Sequence, residues 1–308
     1  MVAAFNIADS FRAYSFYDPS TTPLIIGAVL AAAFAVCIFG GSKQISKITG
    51  VLVPVMGIFY ILVSLVIIVT HLNLVPQMFA DSFTQAFDFK AIFGGFTGSA
   101  IMQGIKRGLF SNEAGVGSAP NAAASAGVSH PVKQGLVQML SVYIDTIVIC
   151  SATAFMLLCS GIEPSTDLQG MPYVQAAVAN YAGKLRNDLY YNRSGFCFAF
   201  TTLIGNFYYA EMGLGYICDK TPNKALLMVF RLAAALIVCF GATMEFSVAW
   251  NTADVLMGLM AIINLPVILI LATAVRCMND YLKQKKEGKN PVFKAKDIDL
   301  ETKTDFWN

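Results

Sequence analysis

Residues 48–70 read ITGVLVPVMGIFYILVSLVIIVT, a run without one charged side chain. A helix that crosses a bilayer needs roughly 20 predominantly apolar residues, so this stretch alone predicts a membrane span. The neighbour upstream, LIIGAVLAAAFAVCIFG at 24–40, is equally free of charge. Farther along, 133–160, 195–218, 225–243 and 247–276 are apolar with one or two polar interruptions each. Residues 91–126 are long enough to cross but are full of glycine, small side chains and charges. Seven crossings are therefore expected, one of them discontinuous, in an all-α polytopic membrane protein.

Composition points the same way. The 308 residues are 56% hydrophobic and 13% charged, with a mean hydropathy of +0.61, whereas a soluble domain carries about 25% charged residues. So much apolar surface must face lipid. The formal net charge of +2 is small, and no basic run is interleaved with aromatics as single-strand binding requires, so no nucleic-acid partner is expected. The seven cysteines stand singly inside apolar stretches and read as small core hydrophobes. With only His71 and His130 besides them, no transition-metal site and no cofactor are expected. Neither a nucleophile with its base nor a phosphate loop is visible, and the run Asn112–Gly117 is not GxGxxG, so an enzyme is not expected either. The first 22 residues lack the basic start and apolar run of a signal peptide and read as an interhelical loop.

Orientation follows from the Lys/Arg asymmetry of the loops. With each span reversing direction, Lys43, Lys47, Lys133, Lys220, Lys224, Arg276, Lys283, Lys285, Lys286 and Lys289 fall on one side, and Lys90, Lys184, Arg186 and Arg193 on the other. The richer side is predicted to be cytoplasmic. The expected layout is an extracellular loop at 1–23, two spans within 24–72, five within 91–276 and a cytoplasmic tail at 277–308. The outer loop 162–192 contains MPYVQAAVANYAGKL, expected as a short helix.

GIKRGLFSNEAGVGSAP at 104–120 packs four glycines, a proline and three charges into one short stretch, too many for an undisturbed helix. Irregular backbone at membrane depth is kept only where it lines a cavity or packs against protein. A break would expose N–H groups at the start of one half-helix, suited to a carboxylate, and carbonyls at the end of the other, suited to a cation. The simpler alternative is a close helix crossing through small residues. The Lys106, Arg107 and Glu113 cluster favours function.

The same stretch extended, GIKRGLFSNEAGVGSAPNAAASAGVSHPVKQGL, resembles the signature of the alanine or glycine:cation (sodium:alanine) symporter family. The likeness continues through VYIDTIVICSATAFMLLCSG (142–161), FAFTTLIGNFYYAE (198–211), WNTADVLMGLMAIINL (250–265) and DYLKQKKEGKNPVF (280–293). The resemblance implies a leucine-transporter (LeuT) type fold of two inverted five-helix repeats, here partial. It also implies symport of a small neutral amino acid, alanine or glycine with glutamine open, together with Na⁺ or in some members H⁺, across the plasma membrane. Family members carry further N-terminal helices, including another broken one, that have no counterpart here. The chain resembles the C-terminal two-thirds, and an alternative expectation is a truncated fragment that does not transport by itself.

On that resemblance, Phe110, Ser111 and Asn112 face the substrate at the break. Thr201 and Thr202 match a hydroxyl pair that supplies hard oxygens to Na⁺, although membrane threonines commonly bond back to a carbonyl one turn earlier. Asn206, one turn beyond Thr202, leaves room and a hydrogen-bonding group beside the substrate. Isolated charges within spans cost about 2.5–3.5 kcal/mol at the bilayer centre on insertion scales, so Asp145, Glu211, Arg231 and Asp254 should have partners. Asp145 and Glu113 are candidates for ion coupling or gating, with a structural pair of Asp145 to Lys106 or Arg107 as the alternative. Glu211 and Arg231 are expected to pair with each other.

Overall fold

Apart from an isolated bridge between Ser165 and Leu168, all regular structure among the described residues is helical. The computed structural model describes residues 1–12, 14–86, 96–162, 165, 168–182, 184–218, 222–270 and 273–298. Positions 91–95 of the expected broken span, parts of the 162–192 loop and residues 299–308 of the expected tail lie outside them. In chain order the helices are α1 (Val2–Asp9), α2 (Thr22–Phe39), α3 (Ser42–Thr70), α4 (Val75–Ala86), α5 (Phe96–Asn112), α6 (Ala119–Ala123) and α7 (Pro131–Tyr143). A π-helical segment, Ile144–Cys150, leads without interruption into α8 (Ser151–Cys159). Then follow α9 (Met171–Ala182), α10 (Lys184–Ile217), α11 (Lys224–Ala242), α12 (Phe246–Ile270), α13 (Thr273–Lys286) and a 3₁₀ turn, Ala295–Ile298.

Five helical stretches are long and apolar enough to cross a membrane: 22–39, 47–70, 131–159, 224–242 and 246–270. They match five of the seven expected spans, and the protein is a multi-pass membrane protein. The other two expected crossings, 91–126 and 195–218, contain helix but fall outside this set. Their glycines and charges, and on α10 the side chains of Thr201, Thr202 and Asn206, dilute the apolar run. The expected helix in the outer loop is present as α9. Two departures from expectation stand out. The expected loop at 1–23 begins with α1, whose Ala4, Ile7 and Ala8 are almost wholly buried: its apolar residues are close-packed core. Helix also extends through Thr273–Lys286 (α13) into the start of the expected tail, while positions 271–272 of the expected span 247–276 lie outside the described residues.

The chain divides into two compact units, residues 1–104 with 148–254, and residues 105–147 with 255–308. The first unit is built on an apolar cluster. Leu30, Phe34 and Ile38 of α2, spaced one turn apart on one face, pack with Ala4 and Ile7 of α1, Leu203, Ile204 and Phe207 of α10 and Val238 of α11. The rings of Phe34 and Phe207 meet edge to face at 5.7 Å. At Gly27 a Cβ would lie 2.7 Å from the Cys239 carbonyl oxygen, so only glycine permits this approach of α2 to α11. The opposite face of α2, with Val29 and Val36, is exposed, as a lipid-facing surface should be. The expected charge pair is observed: an Arg231 guanidinium nitrogen donates to Glu211 Oε1 at 2.8 Å, and the guanidinium also lies over the Phe39 ring. Burial raises the Asp9 carboxyl above the usual carboxylate range, which the neighbouring Arg12 offsets in part.

In the second unit the segment after α13 turns back as a strap. Gln284 grips Val292 at both its N–H and its carbonyl, at 2.9 and 3.0 Å. The Phe293 N–H donates to the Ser129 carbonyl at 2.8 Å and the Ser129 hydroxyl to the Pro291 carbonyl at 2.9 Å. Lys133 Nζ bridges Ser129 Oγ and Asn290 Oδ1, each at 2.7 Å. His130, wholly buried, caps α7: its Nδ1 accepts from the Val132 N–H at 3.2 Å, leaving Nε2 to donate to Asp280 of α13 at 3.2 Å.

Candidate functional site

Helix α5 ends at Asn112, and the chain then runs irregularly through 113–118 before α6. Glu113 has φ +53°, a left-handed conformation that non-glycine residues adopt rarely, and Gly115 and Gly117 follow with φ +79° and +105°. Such backbone persists only where its surroundings hold it. Several contacts do so here. The Asn112 side-chain oxygen accepts from the Ala114 N–H at 2.9 Å, forming a short local turn. The Ser118 hydroxyl donates to the Glu113 carboxylate. From α12, Asn264 Nδ2 donates to the Gly115 carbonyl at 2.9 Å. A Cβ on Gly117 would fall 3.0–3.3 Å from the Asn264 side chain, so glycine at this position serves both the dihedral and the close approach. Among the described residues, the Gly115 and Gly117 N–H groups donate to no protein acceptor.

The last turn of α5 is tied to the π-helical segment. Ser111 Oγ donates to Asp145 Oδ2 at 2.6 Å, and Asn112 Nδ2 donates to Thr146 Oγ1 at 2.9 Å. Two consecutive residues on one segment thus meet two consecutive residues on the other. Widened i→i+5 turns recur at functional sites because they re-aim side chains. The Asp145 carboxylate therefore has a hydroxyl partner where a cationic one was the alternative expectation. Phe110, one residue earlier, has the Arg107 guanidinium over its ring at 5.8 Å. Phe110, Ser111, Asn112, Glu113 and Asp145 accordingly form one connected group within the second unit.

Thr201, Thr202 and Asn206 belong to α10, in the first unit. Thr201 is buried, and its hydroxyl donates to the Cys197 and Phe198 carbonyls, both at 2.9 Å; exposed Thr202 donates to Phe198 at 2.9 Å. This is the back-bonding geometry weighed as their simpler role. It spends the hydroxyl proton and leaves the oxygen lone pairs as the outward-facing part, so it is compatible with ligation of a cation. Asn206 is exposed, one turn on.

Three participants escaped the sequence reading. Thr146 adjoins Asp145 and carried no charge to flag it. Ser118 was one small residue among many. Asn264 offered the clearest signal, an amide inside the apolar run MAIINLPVIL, since polar groups in such runs are costly unless partnered. Among the described residues, no group of three or more His, Cys, Asp or Glu side chains could hold a metal ion.

Comparison with known proteins bears directly on these features. Residues 1–295 match the model of the sodium:alanine symporter family, a family of transporters and not of enzymes. The chain is 42% identical over 276 residues to the amino-acid carrier protein AlsT of Bacillus subtilis, covering 89% of this chain and 58% of that protein. It is 41% identical over 280 residues to the probable sodium/glutamine symporter GlnT of the same organism, covering 89% and 56%. With the sodium/alanine symporter AgcS of Methanococcus maripaludis it shares 38% identity over 298 residues, covering 94% and 64%. The chain thus spans less than two-thirds of the length of each of these relatives. With a break, a π-helical partner and five apolar spans beside that match, the chain belongs to the sodium:alanine symporter family.

Proposed function

We propose that the protein is a secondary active transporter that carries one small neutral amino acid inward with Na⁺. The observation that carries this reading is the held-open break at 113–118. The N–H groups of Gly115 and Gly117 suit a substrate carboxylate. Phe110, Ser111 and Asn112 at the end of α5 would meet the rest of the amino acid, and the family resemblance adds a substrate-binding role for Asn206 of α10. Thr201 and Thr202 would give hydroxyl oxygens to Na⁺, which prefers hard oxygen ligands. Glu113 and Asp145 would couple ion to substrate: each carboxylate holds a hydroxyl that either a cation or a substrate ammonium could displace. Relatives named for alanine and for glutamine support a substrate class rather than a single amino acid.

The fold in this reading is of the LeuT type, with one bundle rocking against another around a midplane site. The plasma membrane is the setting, with the C-terminus cytoplasmic. The membrane potential would supply about 2.3 kcal/mol per charge per 100 mV. Uptake of labelled alanine, glycine and glutamine by the full-length protein in proteoliposomes tests the proposal. Accumulation that requires an inward Na⁺ gradient supports it, and no Na⁺-dependent accumulation of any of the three overturns it.

A further inference from the structure

Helix α13 has two faces of different character. One is fully engaged within its own unit. Asp280 accepts from His130 at 3.2 Å and from Gln284 at 2.9 Å, and Tyr281 meets the His130 ring edge to face. Cys277 packs on the buried cluster Phe293, Ala295 and Ile298, and Gln284 holds the strap. These four residues, at 277, 280, 281 and 284, share one side of a helix. The other side carries Val275, Met278 and Leu282, spaced by three and four residues, and they are 64%, 39% and 47% exposed.

Basic residues frame that exposed stripe. At 100° per residue, Lys283 projects along one flank, Lys285 lies on the other, and Lys286 closes the end of the stripe, while Arg276 donates to the Ile298 carbonyl at 3.4 Å. The acidic residue of the helix, Asp280, sits on the engaged face. An apolar stripe flanked by long cationic side chains, on a helix of low overall hydrophobicity, is the pattern of helices that lie in the plane of a membrane interface. The lysine stems can cover apolar surface while their heads reach lipid phosphates. Position supports the same partner: α13 follows closely on the apolar span α12, which places it near a membrane surface.

We infer that α13 is an interfacial helix that docks its Val275–Met278–Leu282 face onto anionic lipid. The strap and His130 fix the helix from behind, which selects the face that is presented. The inference is independent of the transport reading, since it concerns neither the break nor α10.

Hydrogen exchange on the full 308-residue chain tests this. The chain is reconstituted in nanodiscs of phosphatidylcholine alone, or of phosphatidylcholine with phosphatidylglycerol. Amides of 275–282 should exchange more slowly in the anionic discs. High salt should erase the difference, and each of Lys283→Gln, Lys285→Gln and Lys286→Gln should reduce it by up to about five-fold. These lysines are exposed side chains outside the His130 network, so the variants should keep the fold. The same exchange rate in both lipids overturns the inference. So does protection that follows the number of chains per disc rather than lipid charge, which would make the stripe a contact between copies.

Discussion

The polar side chains of α10 and those of the break answer the same problem in opposite ways. Thr201 and Thr202 turn back onto carbonyls of their own helix, one turn earlier. Ser111, Asn112 and Asn264 reach across to a different segment, to Asp145, Thr146 and the Gly115 carbonyl. A back-bonded hydroxyl costs its helix little and can be replaced with little effect on stability. A cross-segment bond fixes the geometry of two segments at once, and its loss strands a partner. The difference separates residues whose removal should change ligand affinity from residues whose removal should change shape.

The largest effect should come from a third arrangement, the Glu211–Arg231 pair, since both side chains are mostly buried. Arg231→Leu leaves Glu211 unpartnered and should destabilise the protein by about 3–5 kcal/mol. Unfolding of the detergent-solubilised protein would measure this, and pairing it with Glu211→Gln should recover much of the loss. Next in size, Asn264→Leu strips the part-buried Gly115 carbonyl of its donor, a cost of about 1 kcal/mol. Here uptake should fall with stability, and faster exchange of the 113–118 amides would show that the break has relaxed. An unchanged exchange rate there would erase the contrast between the two regions.

Thr202→Val should shift stability by less than about 0.5 kcal/mol, as an exposed substitution. It should nonetheless raise the Na⁺ concentration needed for half-maximal uptake, and Thr202→Ser should restore it. A Thr202→Val protein with unaltered Na⁺ dependence would place the hydroxyl with purely structural ones. The smallest effect expected is a pH slope. Because burial raises the folded-state pKa of Asp9, its contribution to stability is fully present below the ordinary carboxylate range and is lost as pH rises through the raised value. Asp9→Asn should therefore flatten that slope and stabilise the protein at neutral pH, while at acid pH the two should unfold alike. Arg12 is 57% exposed, so losing its pairing should offset little.

Much of this was legible in the residues. Charge-free runs such as 48–70 permit little besides a span, because a peptide chain in hydrocarbon must satisfy its own hydrogen bonds. The density of glycine in 104–120 located the break, since helix propensity and backbone freedom both act within a few residues. Pairing of Glu211 with Arg231 followed from the cost of either charge alone. What sequence could not supply was partnership at a distance. Asp145 looked like a mate for Lys106 or Arg107, and its bond to Ser111 depends on where a π-helical turn aims it. Asn264 lies 149 residues from Gly115, and no local pattern links them. Helix α1 read as loop because eight residues are too few to announce a buried element whose partners arrive much later in the chain.

The strap beyond α13 bears on how the protein can be handled. Its Val292 and Phe293 are fastened to Gln284 and Ser129 by their main-chain groups, so substitution alone would not loosen them. A tag or reporter spliced in after Lys286 would uncover the edge of His130 and unpin the first turn of α7, which continues beyond Tyr143 into the π-helical segment that bears Asp145. Shortening the chain to before Asn290, to tidy a seemingly dispensable end, would remove a wall of the second unit.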